Sequence, residues 1–235
     1  MNIRLQKSSV RKSSAITIAG SKSETNRLLL LRALFPEIRL ENISISDDSI
    51  AVENALSSDA EIIDIGHAGT AMRFLTAYSS TSESRTVTLT GSDRMQRRPI
   101  GILVDALRQL GAEIEYVKND GFPPIKITGK KIAKHKVSLR ADVSSQYISA
   151  LLLIAPKLEN GLDLTLDGEI TSRPYIEMTL SLLNEIGVKT SFEANTIQIS
   201  PNIQPPATGR QLPKNQPPDA NHQPPIFIES DWSSA

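Results

Sequence analysis

The sequence predicts an α/β fold of repeated units, on three observations. Short β-branched runs alternate with longer apolar helical stretches along the chain. Two stretches, "RRPIGILVDALRQLGAEIEY" and "SRPYIEMTLSLLNEIGVKTSF", share one plan: Arg before Pro, an amphipathic segment, a Gly stop and an alternating strand. Several helical stretches open on small or hydroxyl residues and continue apolar, and the first of them keeps so little polar circumference that it reads as a helix enclosed by other elements.

Taken in order, "SAITIAG" has the length and β-branched content of a strand and leads into "GSKSETNR". Ser21, with Glu24 three residues on, predicts a capping box and a helix from about Lys22 to Leu34. Leu28, Leu29, Leu30, Leu31, Ala33 and Leu34 make that helix apolar on most sides. "SISDDSIAVENAL" predicts another helix start, with Ser46 or Asp47 as N-cap. "GHAGTAMRFLTAY" and "SSQYISALLLIAP" predict two more helices, and Pro99 and Pro174 mark the starts of the two repeated ones, with Gly111 and Gly187 as C-terminal caps. "RTVTLTG", "IKITG", "KVSLR", "LDLTL" and "TIQIS" read as the intervening strands. Residues 201–225 carry Gln-Pro-Pro three times and read as a solvated, partly polyproline linker, with a proline-recognising partner as the other use. "IFIES" then resumes as a strand, and "DWSSA" reads as a helix start.

Composition narrows the function. With 39% hydrophobic and 22% charged residues, 235 residues can bury a substantial core. Lys plus Arg equals Asp plus Glu at 26 each, so no global field draws in nucleic acid or an acidic membrane, and any anion is bound locally. There is no cysteine, and His67, His135 and His222 lack ligand spacing, so no metal site is expected. No signal-peptide core opens the chain, and no apolar run approaches the roughly 20 residues of a membrane span, so the expected location is cytoplasmic.

A helix start carries unpaired N–H groups and partial positive charge, so Lys22, Ser23 and Arg27 beside one make a site for phosphate or carboxylate. One such motif could simply cap a helix. The pattern recurs, however, at Gly69-Thr70, Arg98-Pro99, Ser144-Ser145-Gln146 and Ser172-Arg173-Pro174. If the units run parallel, these starts converge on one polyanionic, hydroxyl-rich small molecule. A P-loop fails on spacing, because only Ser21 separates Gly20 from Lys22, and no Gly-x-Gly-x-x-Gly follows a strand.

"GSKSETNR", "GHAGTAMR", "GSDRMQRRPIGILVDALRQLGA", "SSQYISALLLIAP" and "SRPYIEMTL" stand in the order and approximate spacing of the 5-enolpyruvylshikimate-3-phosphate synthase family, and the chain resembles it over nearly all but the Gln-Pro-Pro segment. The resemblance implies an enolpyruvyl transferase-like α/β domain of repeated βαβαββ units, helices buried inside surrounding sheets, with the second domain largely absent. It implies that residues 1–19 are a strand and crossing segment of the other domain, 20–200 a shikimate 3-phosphate-binding domain, 201–225 a linker or loop, and 226–235 a truncated return crossing. The implied reaction transfers the enolpyruvyl group of phosphoenolpyruvate to the 5-hydroxyl of shikimate 3-phosphate, with no metal or organic cofactor.

By the same resemblance Ser23, Arg27, Ser144, Ser145, Ser172 and Tyr175 would hold shikimate 3-phosphate, and Lys22, Gly69, Arg98 and Gln146 would face phosphoenolpyruvate. Lys22, Arg98 and Gln146 would be the catalytic groups. The acidic residue and further cations would come from the second domain, so this chain alone is expected to bind without turnover. Glu24, Asp47, Asp48 and Asp93 read as caps and solvated charges. Ala19, His67 and Phe74 depart from the family's usual proline, asparagine and proline. An imidazole at 67 is bulkier than an amide and titrates, which bears on affinity for substrate or the herbicide glyphosate. Two other readings are a UDP-sugar enolpyruvyl transferase, disfavoured because that family generally uses a cysteine, and a non-catalytic proline-rich scaffold.

Overall fold

The computed structural model describes residues 18–142, 144–201 and 225–231. The chain enters helix α1 (Lys22–Leu34), makes a short strand β1 (Leu40–Glu41) and continues into α2 (Asp47–Leu56). Two complete βαβαββ units follow. The first is β2 (Ile62–Asp64), α3 (Gly69–Thr81), β3 (Thr86–Thr90), α4 (Gly101–Leu110), β4 (Glu113–Tyr116) and β5 (Ile125–Thr128). The second is β6 (Lys136–Arg140), α5 (Ser145–Ile154), β7 (Leu162–Asp167), α6 (Arg173–Glu185), β8 (Thr190–Glu193) and β9 (Thr196–Ile199). A last strand, β10 (Ile226–Phe227), pairs parallel with β1.

The units repeat in topology as well as in sequence. Their sheets run β2-β3-β5-β4 and β6-β7-β9-β8, each with a parallel first pair and antiparallel pairs after it. α3 and α5 are therefore the crossovers that parallel neighbours require. Alternation in the strands sends Val87, Leu89, Ile125, Ile127, Leu162, Leu164 and Leu166 inward. α5 is buried at every position but Gln146, which accounts for its apolar sequence. Gly111 ends α4 in the left-handed conformation at φ 106°, as a C-terminal cap glycine does.

The part before the first complete unit differs. From α2 the chain passes through residues 57–61 straight into β2, so among the described residues this part holds a two-stranded sheet, β1-β10, where the other units hold four strands. The incoming and returning segments lie side by side against it. Ser21 N–H donates to the Glu229 carbonyl (2.8 Å), the Ser230 hydroxyl to the Ile18 carbonyl (2.9 Å), and Asn42 Nδ2 to the Ile228 carbonyl (2.8 Å). Gly20 permits this approach, because a Cβ there would run into the Asn42 carbonyl and the Ile228 side chain.

Several expectations are corrected. Ser21 is the N-cap of α1 but makes no capping bond, and its buried hydroxyl has no partner among the described residues. Glu24 is drawn instead to the Glu229 backbone N–H. The return segment thus pairs the Ser21 N–H and the Glu24 carboxylate, which a capping box would have joined to each other, and leaves the hydroxyl half of the box unmade. Ile18–Gly20 are not strand, and the rest of "SAITIAG" lies outside the described residues, as do 202–224 of the Pro-rich stretch and the "WSSA" helix start. α4 begins at Gly101 with Ile100 as its cap, two residues after Pro99. Ser46, of the two N-cap candidates for α2, accepts from Ser49 N–H.

Candidate functional site

Arg27 lies on the second turn of α1 and is only 3% exposed. Its Nε donates to Thr179 Oγ1 on α6 (2.8 Å), Nη1 to the Ser23 carbonyl (2.8 Å), and Nη2 to Ser149 Oγ on α5 (3.0 Å) and the Tyr175 carbonyl (3.5 Å). The rings of Phe74 on α3 and Tyr175 lie 5.5 and 5.8 Å from the guanidinium carbon. α1, α3, α5 and α6 thus each bring a residue one to two turns from their start to a single point. The first turns of α3 and α5 lie side by side as well.

There a second cluster forms. Gln146 Nε2 donates to Thr70 Oγ1 (3.2 Å), tying the first turns of α5 and α3. The exposed Arg98 guanidinium lies over Gly69, in the space a Cβ there would occupy. Arg98 has a buried support. Arg73, 4% exposed, donates from Nη2 to the Pro99 carbonyl (2.9 Å), and the Tyr147 hydroxyl donates to the same oxygen (2.7 Å). Arg73 Nη1 also bonds the Gly69 carbonyl (3.2 Å), so one side chain ties Gly69 to Pro99, the residue after Arg98.

The structure therefore brings Gly69, Arg98 and Gln146 together, and Ser23, Arg27 and Tyr175 together. Ser144 caps α5, its hydroxyl accepting from Gln146 N–H (3.3 Å). Lys22, Ser145 and Ser172 stand at the starts of α1, α5 and α6, with no side-chain bond to either cluster among the described residues. Lys22 is exposed and Ser145 is buried. His67 is exposed in the turn before α3 and lines a groove of about 420 Å³ between α2 and β2. Sequence reasoning gave no role to Arg73, Tyr147, Ser149 or Thr179. The available signal was a lone arginine inside an apolar helix, four residues after a helix-start glycine.

Charge sets what this end can hold. Burial pushes the Arg27 guanidinium down to about 10, with Tyr175 and Glu24 opposing, so it remains cationic at neutral pH. Burial lowers Arg73 too, and Arg98 nearby adds to the effect. Among the described residues neither buried guanidinium bonds a carboxylate; their partners are hydroxyls, carbonyls and a thioether. Buried cations with no bonded carboxylate, near helix starts, favour a bound anion. Among the described residues no helix is long and apolar enough to cross a membrane.

Repeated βαβαββ units with their helices enclosed and buried arginines at one end define a class, the enolpyruvyl transferase type of α/β domain. The chain belongs to the EPSP synthase (3-phosphoshikimate 1-carboxyvinyltransferase) family, whose model matches residues 37–213. A 3-phosphoshikimate 1-carboxyvinyltransferase of Bacteroides fragilis is 47% identical over 222 residues, covering 94% of this chain and 50% of the relative. One of Shewanella pealeana is 41% identical over 204 residues, covering 75% of this chain and 48% of the relative. Among solved structures, EPSP synthase from Acinetobacter baumannii shares the fold with a TM-score of 0.64 at 21% identity, over 81% of this chain and 48% of that one. The chain spans about half the length of the curated relatives it matches.

Proposed function

We propose that this chain supplies the shikimate 3-phosphate-binding half of a synthase that transfers the enolpyruvyl group of phosphoenolpyruvate to the 5-hydroxyl of shikimate 3-phosphate. The observation that carries the reading is the meeting of four helices, one to two turns from their starts, at the buried Arg27, which bonds no carboxylate, with Arg98 held over Gly69 nearby. Ser23, Ser144, Ser145, Ser172 and Tyr175 face the sugar-like acid and its phosphate. Lys22, Gly69, Arg98 and Gln146 face phosphoenolpyruvate. Arg27 acts from below, through its Nη1 edge.

The 5-hydroxyl, giving up its proton, adds to C2 of phosphoenolpyruvate while the phosphoenolpyruvate methylene carbon takes a proton, and the tetrahedral intermediate then expels phosphate as the new methyl group gives up a proton to restore the carbon–carbon double bond. Fixed cations and amides stabilise the charge that moves among phosphate, carboxylate and leaving group. Holding both substrates side by side removes much of the entropic barrier. The proton transfers need a positioned acid and base, which we assign to a second domain, the partner that the other half of the relatives' length would build. The reaction draws on neither metal nor organic cofactor, and its setting is the cytoplasm. Within this scheme residues 1–19 and 226–235 are crossing segments, 20–200 the binding domain and 201–225 a connecting loop. The side-by-side run of 18–21 and 225–231 supports that division.

Calorimetric titration of the 235-residue chain with shikimate 3-phosphate tests the reading. Saturable heat is expected, about tenfold weaker in Tyr175→Phe, which loses one hydroxyl contact to a charged ligand, with no phosphate released when phosphoenolpyruvate is added. A folded chain that ignores shikimate 3-phosphate at millimolar concentration overturns it.

A further inference from the structure

Ser149 and Thr179 are both fully buried, at 0% exposure, and both lie beside the Arg27 guanidinium. We infer that these two hydroxyls are positioning residues for the anion: they lock the Arg27 guanidinium so that its Nη1 edge is presented to the helix starts. The inference rests on the proposed entry of shikimate 3-phosphate at that end, and it assigns roles to two residues that contact no ligand in that proposal.

The hydrogen-bond order is determined by the donors available. Thr179 lends its only proton to the Tyr175 carbonyl (2.8 Å), so its oxygen is an acceptor toward everything else. It accepts from Arg27 Nε (2.8 Å), and it accepts from Ser149 across 3.0 Å, because Thr179 has no second proton to give. Ser149, its proton committed, accepts in turn from Arg27 Nη2 (3.0 Å). The relay therefore runs one way, from Ser149 to Thr179 to the Tyr175 carbonyl, and presents two lone pairs to the guanidinium. With Nε and Nη2 both fixed, the guanidinium plane cannot turn.

What remains is Nη1. One of its hydrogens goes to the Ser23 carbonyl in the first turn of α1, which places this edge on the side of the helix starts. The other has no acceptor among the described residues. A phosphate or hydroxyl oxygen of the ligand is the group that completes it. Valine at 179 would fill nearly the same space, and alanine at 149 all of it but one atom, without burying a hydroxyl, so the hydroxyls are explained by what they orient.

The test combines calorimetry with a signal that owes nothing to substrate. In Thr179→Val and Ser149→Ala, shikimate 3-phosphate affinity is expected to fall about tenfold, and Thr179→Ser is expected to restore it. The Arg27 Nε–H proton resonance, protected from exchange in the parent chain, is expected to lose protection in Thr179→Val and keep it in Thr179→Ser. A folded Thr179→Val chain of lower melting temperature but unchanged affinity makes the pair purely structural and overturns the inference, as does an Nε–H signal unmoved by Thr179→Val. If the parent chain takes no shikimate 3-phosphate, the proposed function falls, and the Nε–H comparison alone decides whether the hydroxyls hold the guanidinium.

Discussion

Arg27 and Arg98 stand at one end of the same helix cluster and differ in almost every physical respect. Arg27 is 3% exposed, bonded to three helices and flanked by two rings. Arg98 is exposed and rests on a glycine. The difference separates a buried floor, whose charge opposes folding, from a rim that the fold tolerates at little expense. A ligand anion would gain from both, but only the floor has already been desolvated before it arrives.

Arg27→Met separates floor from rim most strongly. An unpaired buried charge is replaced by an apolar chain of similar length, while Ser149 and Thr179 still satisfy each other and the Tyr175 carbonyl. Replacing buried charged groups with well-packed apolar ones is often neutral or stabilising by about 1–4 kcal/mol. We expect a gain of about 1–3 kcal/mol, read as a higher urea midpoint at unchanged slope, together with loss of shikimate 3-phosphate heat. A large loss of stability would mean that the hydrogen bonds outweigh the desolvation and that the floor is structural first.

Gly69→Ala tests the rim. The new Cβ meets the Arg98 guanidinium, the far end of an exposed side chain that can swing clear. Alanine also suits a helix better than glycine, so stability should change by no more than about 0.5 kcal/mol. The displaced guanidinium should weaken phosphoenolpyruvate uptake beside bound shikimate 3-phosphate by about tenfold, with affinity for shikimate 3-phosphate itself nearly unchanged. Unfolding of this variant would show that Arg98 is anchored as firmly as Arg27.

How far each region could be read from sequence follows from the range of its interactions. α1 was legible to the residue from its leucines, because that signal is local. The start of α2 was legible for the same reason, since Ser46 caps through Ser49, three residues away. The start of α1 carried an equally good local signal and misled, because Glu229 lies more than 200 residues on and takes over the bonds of Ser21 and Glu24. The floor was legible only in part. Nothing near Ser149 or Thr179 in the chain reveals that Arg27 will reach them, since they are 122 and 152 residues away. β1 and β2, at two and three residues, are too short for alternation to register.

That long-range cap makes the smallest of the expected effects, and its sign can be worked out. Burial raises the Glu24 carboxyl above its ordinary value, the charges of Glu229, Asp231 and Glu185 raise it further, and the Glu229 backbone N–H and the attraction of the Arg27 guanidinium oppose them without reversing the shift. An acid raised by folding holds its proton more tightly in the folded chain, so ionisation opposes folding. The penalty is full above the folded value, fades as pH falls through it, and vanishes below the ordinary value of 4.5. Glu24→Gln removes the charge and keeps an oxygen to accept from Glu229. Its melting temperature should therefore exceed the parent's by a small margin at pH 7 and match it near pH 4. An advantage of equal size at both pH values would assign the effect to packing, and a disadvantage at pH 7 would show that the Glu229 N–H bond outweighs the crowded acids.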